Sequence, residues 1–218
     1  MKPAISVIIP AHNEENYIRA TLHSLKQQSF QNFETIVVSN GCTDKTEEIV
    51  KKRVSNKLKH YSMTQANVSR ARNYGADKAT GEILLFLDAD TTIDSDALKN
   101  IKDTFTTEYS SATLLINYDL QTLQLKMIKN LKNFHNRTKM VKTFCGSLIC
   151  WKKQFDNVQG FNPDKIMREH FDLRQRIGGK YTVINSQVTT SARRYQQWGL
   201  LKMMSKWLSQ GKEYEKIR

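Results

Sequence analysis

Nowhere in its 218 residues does this chain approach the roughly 20 consecutive apolar residues that a membrane-crossing helix requires. The sequence therefore predicts a protein that does not span a bilayer. The apolar stretch from Ala4 to Ala11 follows a lysine but is cut short by Pro10 and His12-Asn13-Glu14-Glu15, with no small-residue cleavage pattern, so no targeting segment is expected. The two common phosphate-cradling loops are missing as well. Without GxGxxG or GxxxxGKS/T, neither a dinucleotide-binding fold of the usual type nor a P-loop is supported. Cysteine is scarce: Cys42, Cys145 and Cys150 form an odd set without metal-type spacing, which points to a reduced, cytosolic setting. Repeats and low-complexity linkers are absent, and the length suits one α/β domain with its own core. Acidic residues are in short supply. Lys and Arg number 34 against 21 Asp and Glu, and the resulting +13 points to an anionic partner: nucleic acid, acidic membrane or phosphorylated small molecules.

What is present is an alternation of strands and helices over the first half, which predicts a mostly parallel sheet flanked by helices. Strands are expected at Ile5–Ile9, Phe33–Val38, Leu58–Met63 and Ile83–Leu87. Helices are expected over Glu14–Gln28, from Thr43 or Asp44 to Val54, over Asn67–Ala79, and over Asp94–Tyr109. After residue 110 the pattern changes. Strands are expected at Ala112–Tyr118, Phe144–Trp151, Tyr181–Asn185 and Val188–Thr190, with a helix over Met167–Ile177. Two basic amphipathic helices complete the chain, Leu120–Val141 with Leu123, Met127, Leu131 and Phe134, and Tyr195–Gln210 with Trp198, Leu201, Met204 and Trp207. For each, packing of the apolar face on the sheet is the first expectation. The charge excess favours contact with an anionic membrane surface as the alternative.

The most informative stretch runs from Ile83 to Asp90. A buried strand that ends in Asp88-Ala89-Asp90 places two carboxylates at its carboxyl edge, where open α/β sheets bind ligands. Such a pair suits Mg²⁺ or Mn²⁺ bridging to substrate phosphates. The first strand ends in Pro10-Ala11-His12-Asn13-Glu14 and the second in Ser39-Asn40-Gly41-Cys42-Thr43-Asp44, at the same edge if the strands are parallel. Arg70 and Arg72 are placed to neutralise a pyrophosphate there.

The segments SVIIPAHNEENYI, ETIVVSNGCTDKT, ARNYGADKATGEILLFLDADT and REHFDLRQRIGGK, in this order, resemble family 2 glycosyltransferases of the GT-A fold. The resemblance implies a single Rossmann-like domain over 1–218, with a nucleotide-sugar half at 1–110 and an acceptor-side half at 111–218. It also implies transfer of a sugar from a nucleoside-diphosphate donor, a UDP- or GDP-sugar, with inversion. Carried over residue by residue, Pro10, Ala11, Asn13 and Glu14 would line the nucleoside pocket, and Asn40 stands where the family often has a base-contacting aspartate. Arg72 and Asn73 match a donor-side RN pair, and Asp88, Ala89 and Asp90 match the metal-holding DxD. The base expected to deprotonate the acceptor is an aspartate in a Glu-Asp pair. Here the pair reads Glu169-His170, with Asp172 nearby, and the role stays divided among these three. Arg193 and Arg194 lie in a segment similar to one found in a subset of these enzymes and would reach the donor diphosphate or an acceptor phosphate.

The acceptor is expected to be a glycan or a lipid-linked molecule such as a polyprenyl phosphate or glycolipid, met in the cytoplasm or at the cytoplasmic membrane face. Two readings compete: a degenerate transferase that binds donor without turnover, and a basic nucleic-acid-binding protein. Dispersed lysines and the otherwise unexplained Asp88 and Asp90 count against the latter, and no nucleic acid is expected.

Overall fold

The computed structural model describes residues 2–138, 146–165 and 168–199. Cys145 and most of the expected C-terminal helix, from residue 200 onward, lie outside them. The described chain builds one eight-stranded sheet in the order β3-β2-β1-β4-β7-β6-β8-β5. The parallel half consists of β1 (Ile5–Ala11), β2 (Phe33–Asn40), β3 (Leu58–Met63) and β4 (Ile83–Leu87). Its register runs Ile5↔Phe33 on one side of β1 and Ile5↔Ile83 on the other. The chain thus winds outward from β1 to β3, then returns across β1 to β4. The carboxyl ends of β1 and β4 diverge at this reversal, the crevice where such sheets accept ligands.

Burial on both faces explains why β4 reads as an unbroken apolar run and β1 as a nearly unbroken one, while edge strand β3 is polar and only partly buried. Side chains alternate along β1: Ile5, Val7 and Ile9 face one core cluster with Ile18, Leu22 and Leu25 of α1 (Ile18–Lys26), while Ile8 faces the other. The second cluster includes Leu84 and Phe86 of β4, and Ala71 and Ala76 of α3 (Val68–Lys78). At Gly75 of α3 a Cβ would come within 2.6 Å of the Ile8 side chain, so only glycine lets α3 approach β1 this closely. The other helix of this half, α2 (Thr46–Lys51), follows β2.

The second half is mixed. β7 (Ser147–Trp151) pairs antiparallel with both β4 and β6 (Ser111–Tyr118), and β6 pairs parallel with β8 (Tyr181–Thr190). The two short strands expected near residues 181–190 are one strand, and the apparent break between them is a register shift opposite Leu114/Leu115. The unforeseen β5 (Thr91–Ile93) pairs antiparallel with β8 just ahead of the expected helix Asp94–Tyr109, of which α4 covers only Ala97–Thr104. A β-branched Thr-Thr-Ile run favours extended backbone over a helical turn. The remaining helices are α5 (Leu123–Thr138), α6 (Lys152–Asn157) and α7 (Glu169–Ile177), and residues 193–199 are helical. No described helix is long and apolar enough to cross a membrane.

A buried carboxylate anchors the sheet away from the ligand edge. Glu34 accepts from Ser6 Oγ at 2.8 Å, Thr80 N at 2.7 Å, Thr80 Oγ1 at 2.6 Å and Lys59 Nζ at 2.8 Å. Burial alone would raise its pKa, but these donors outweigh burial and hold it at about 2. Because the folded-state pKa lies below the unfolded one, the contribution is complete above the unfolded value and is lost as pH falls towards 2. Glu34→Gln should therefore lower stability by about 2–3 kcal/mol at neutral pH and flatten the acid limb of the stability curve. Urea titrations from pH 7 down to 3 check this; an unchanged acid limb would remove Glu34 from that role.

Candidate functional site

The crevice is built by three strand ends and two later segments. At the end of β1, pairing with β4 stops at Ile8↔Phe86, so the missing N–H of Pro10 interrupts no bond on that side. Ala11 is buried and its carbonyl accepts from Cys42 Sγ at 3.1 Å. Asn13 adopts a left-handed conformation with φ 54°, which asparagine tolerates, and its Oδ1 accepts from Thr43 N at 2.8 Å. Asp44 accepts from Glu15 N at 3.0 Å and from Thr46 N at 2.9 Å, and Thr46 Oγ1 accepts from Glu14 N at 2.7 Å. The loops after β1 and β2 are thus fastened to each other, and Glu14 is aimed into the crevice.

Asp88 and Asp90 flank the turn between β4 and β5. Thr21 of α1 donates to the Ala89 carbonyl at 2.8 Å, which fixes that turn. Each carboxylate meets a different arginine. Buried Arg72 donates from Nη2 to Asp88 Oδ1 at 3.0 Å and from Nη1 to Glu169 Oε1 at 2.7 Å, and it lies 5.2 Å from the Phe161 ring centre. Arg193 grips both oxygens of Glu14, at 2.7 and 2.5 Å, and lies 3.2 Å from Asp90 Oδ2 with its guanidinium 4.6 Å from the Tyr17 ring centre. From sequence, Tyr17 is only one residue of the helix expected over Glu14–Gln28. Asp119 was likewise missed; it accepts from Ala192 N at 2.8 Å and so seats the segment that carries Arg193. Both contacts join residues far apart in sequence, and no local pattern announces them.

The two aspartates titrate in opposite directions. Burial raises the Asp88 carboxyl, but Arg72 foremost outweighs this and holds it below the ordinary range. Asp90 is pushed up to about 6 by burial and by the Asp88 and Glu14 carboxylates, against the pull of Arg193 and Arg194. A concentration of negative charge too strong for its neighbours is a setting that a divalent cation relieves. Among the described residues there is no cluster of three His, Cys, Asp or Glu able to hold a metal by themselves. Two carboxylates nevertheless fit Mg²⁺ or Mn²⁺, since Mg²⁺ commonly keeps waters and takes further oxygens from substrate phosphates.

The other expected site residues divide. Asn40 is buried, and its Oδ1 accepts from Asn67 N at 2.7 Å, so this oxygen orders the start of α3. Asn73 bonds both N and O of Phe161, each at 2.8 Å, and thereby holds a loop. Arg70 is exposed on α3 and forms no ion pair among the described residues, while exposed Arg194 is near enough to act on both aspartates by charge. On α7, Asp172 pairs with Lys165 at 3.3 Å and Arg176 at 2.9 Å. Glu169 is bound to Arg72, which together with His170 outweighs burial and keeps its carboxyl below the ordinary range. His170 is buried with its ring centre 5.5 Å from that of Phe161, and its Nε2 has no hydrogen-bond partner. Burial and Arg72 push its pKa down to about 4, against Glu169 and Asp88, so the imidazole is neutral at pH 7.

With this geometry in place, the comparisons are decisive on family. Residues 6–155 match the family described as Glycosyl transferase family 2. The chain belongs to glycosyl transferase family 2. Among its relatives, the Staphylococcus aureus poly(ribitol-phosphate) beta-N-acetylglucosaminyltransferase TarS is 36% identical over 116 residues, covering 51% of this chain and 20% of TarS. The Streptococcus pneumoniae glycosyltransferase GlyA is 33% identical over 116 residues, covering 52% of this chain and 16% of GlyA. The crystal structure of S. aureus TarS 1–349 superposes with a TM-score of 0.69 at 25% identity, over 88% of this chain and 60% of that one. The Pyrobaculum calidifontis mannosyltransferase PcManGT, solved with GDP-Man and Mn²⁺, gives 0.76 at 19% identity, over 96% of this chain and 65% of that one. At that identity the likeness is one of fold, and both structures place the chain in the GT-A class. The matched segments span about a fifth or less of the length of TarS and GlyA, and in structure the chain covers 38% of full TarS.

Proposed function

We propose that this chain transfers a sugar from a nucleoside-diphosphate donor to an acceptor hydroxyl, with inversion, using a divalent cation held by Asp88 and Asp90. The observation that carries this reading is the meeting of Glu14, Asp88 and Asp90 with Arg72 and Arg193 at the β1/β4 switch point. Mg²⁺ or Mn²⁺ bound there supplies Lewis-acid stabilisation of the departing diphosphate. Arg193 and Arg194 bring positive charge to the same phosphates. Glu14, released from Arg193, is free to meet the ribose of a UDP- or GDP-linked donor, beside Pro10, Ala11 and Asn13. Inversion in a single displacement needs one base on the acceptor side. His170 is the candidate for that role: its unpartnered Nε2 would accept the hydroxyl proton, and the nearby Glu169 and Asp88 carboxylates would offset part of the penalty that burial and Arg72 place on the imidazolium. Asp172, engaged with Lys165 and Arg176, is left out. The acceptor is a glycan or a lipid-linked molecule, and the free Cys42 and Cys150 accord with work in the cytoplasm.

Thermal unfolding against a panel of nucleotide sugars, with and without Mn²⁺, tests the reading. One donor should raise the midpoint by several degrees only when metal is present, since a ligand at about 100 times its Kd adds about 2.7 kcal/mol. No shift with any donor would count against it. A shift without transfer to any acceptor would favour the donor-binding, non-catalytic reading that the histidine at position 170 raises.

A further inference from the structure

Helix α5 is turned inside out. Leu123, Met127, Leu131 and Phe134 follow one another at helical spacing and form a single stripe, yet they are 75, 65, 57 and 60% exposed. Packing of this face on the sheet, the first expectation from sequence, is not what the fold does. The buried side holds Leu125 and half-buried Ile128 together with polar groups. Lys132 Nζ donates to Tyr118 Oη at 2.8 Å and to Tyr195 Oη at 3.2 Å. Asn133 accepts from Ile116 N at 2.8 Å and donates to the Ile116 carbonyl at 2.9 Å. Rolling the helix to hide its apolar stripe would break all four bonds and expose two backbone groups of β6. The outward orientation is therefore built in.

The surroundings of the stripe fix the chemistry of what covers it. Lys126 and Arg137 are exposed on one flank, with Lys129 partly exposed beyond them. From Leu120 to Phe155 the sequence has no aspartate or glutamate. We infer that α5 docks on an anionic lipid surface, with the four apolar side chains in the headgroup–acyl boundary and the basic flank on the lipid phosphates. A second copy meeting this face about a two-fold axis would set the same basic flank against itself. Docking also orients the crevice. Asp119 N donates to the Thr190 carbonyl at 3.1 Å, and Tyr195 meets Lys132, so the base of α5 is joined to the segment whose Arg193 reaches Glu14 and Asp90. On the transferase reading, a lipid-linked acceptor then arrives beside the crevice without leaving the bilayer; the docking itself stands without that reading.

The test is co-sedimentation of the 218-residue chain, free of donor and metal, with vesicles of phosphatidylglycerol and phosphatidylcholine or of phosphatidylcholine alone. The native chain should bind the anionic vesicles and release them at high salt. Leu131→Glu/Phe134→Glu should weaken binding about tenfold or more with an unchanged melting midpoint. Lys126→Gln/Arg137→Gln should weaken it several-fold and reduce its salt dependence. Failure of the native chain to bind at low salt overturns the inference. So does undiminished binding of the Leu131/Phe134 variant, which would move the contact elsewhere, for instance to residues 200–218. A dimer in solution that dissociates in that variant, with no vesicle binding by the native chain, would assign the stripe to self-association instead.

Discussion

Asp90→Asn should abolish measurable sugar transfer, a loss of about three orders of magnitude or more, while leaving the protein at least as stable as before. The two halves of this expectation come from the same geometry. Asparagine keeps the shape of the side chain but offers a neutral oxygen where a hard divalent cation needs a charged one. The charge it removes is one the fold tolerates poorly, because burial, Asp88 and Glu14 together push Asp90 up to about 6. A carboxyl whose pKa is raised on folding binds its proton more tightly in the native state. Stability therefore falls as pH climbs from about 4 to about 6, and ionised Asp90 opposes folding at neutrality. Transfer assays on the donor identified by thermal shift, run beside melts with and without Mn²⁺, read both effects. Substantial turnover in the variant would sink the metal role. Intact turnover that ignores chelators would sink it more directly.

His170→Ala should lower the transfer rate by about two to four orders of magnitude and leave the metal-dependent donor shift in place, whereas Asp172→Asn should change the rate little. His170 presents a buried, unpartnered Nε2, and burial, aided by Arg72, holds its pKa down to about 4. Asp172 spends its oxygens on Lys165 and Arg176. The native rate should be flat with respect to this group above about pH 6 and fall as acid protonates the imidazole towards pH 4. Single-turnover rates across that range, with donor saturating, check the profile. If the alanine variant keeps its rate, or loses donor binding instead, the base lies elsewhere and Glu169 becomes the next residue to replace.

Strands β1 and β4 were legible because burial on both faces turns them into nearly continuous apolar runs, β2 because of its Ile36–Val38 core, and Asp88-Ala89-Asp90 because it interrupts such a run abruptly. Other features depend on partners that sequence spacing does not reveal. β5 is three residues long and exists as a strand only because Thr91–Ile93 finds Val188–Thr190 of β8 much later in the chain. The periodicity of α5 identified its apolar stripe correctly but carried no information on which side faces the core. Lys132 and Asn133 decide that by their bonds to Tyr118, Tyr195 and Ile116. Asn40 and Asn73 illustrate the same limit in the crevice, since the family resemblance implied a place near the donor while tertiary contacts engage side-chain atoms of both with backbone.

The grip of Arg193 on Glu14 and Asp90 means that the crevice carries its own counter-ion. Three carboxylates gathered at one sheet edge repel one another, which ordinarily favours a bound cation. Here a tethered guanidinium does part of that work, and it leaves its partners unscreened only when something else takes its place. On the proposed metal role, a cation entering at Asp90 would have to compete with a charge that never diffuses away, which would keep metal affinity low in the absence of donor. A nucleotide diphosphate changes that balance, because it offers the displaced guanidinium a new set of oxygens. On that proposal, metal and donor would bind as a pair, each easing the entry of the other.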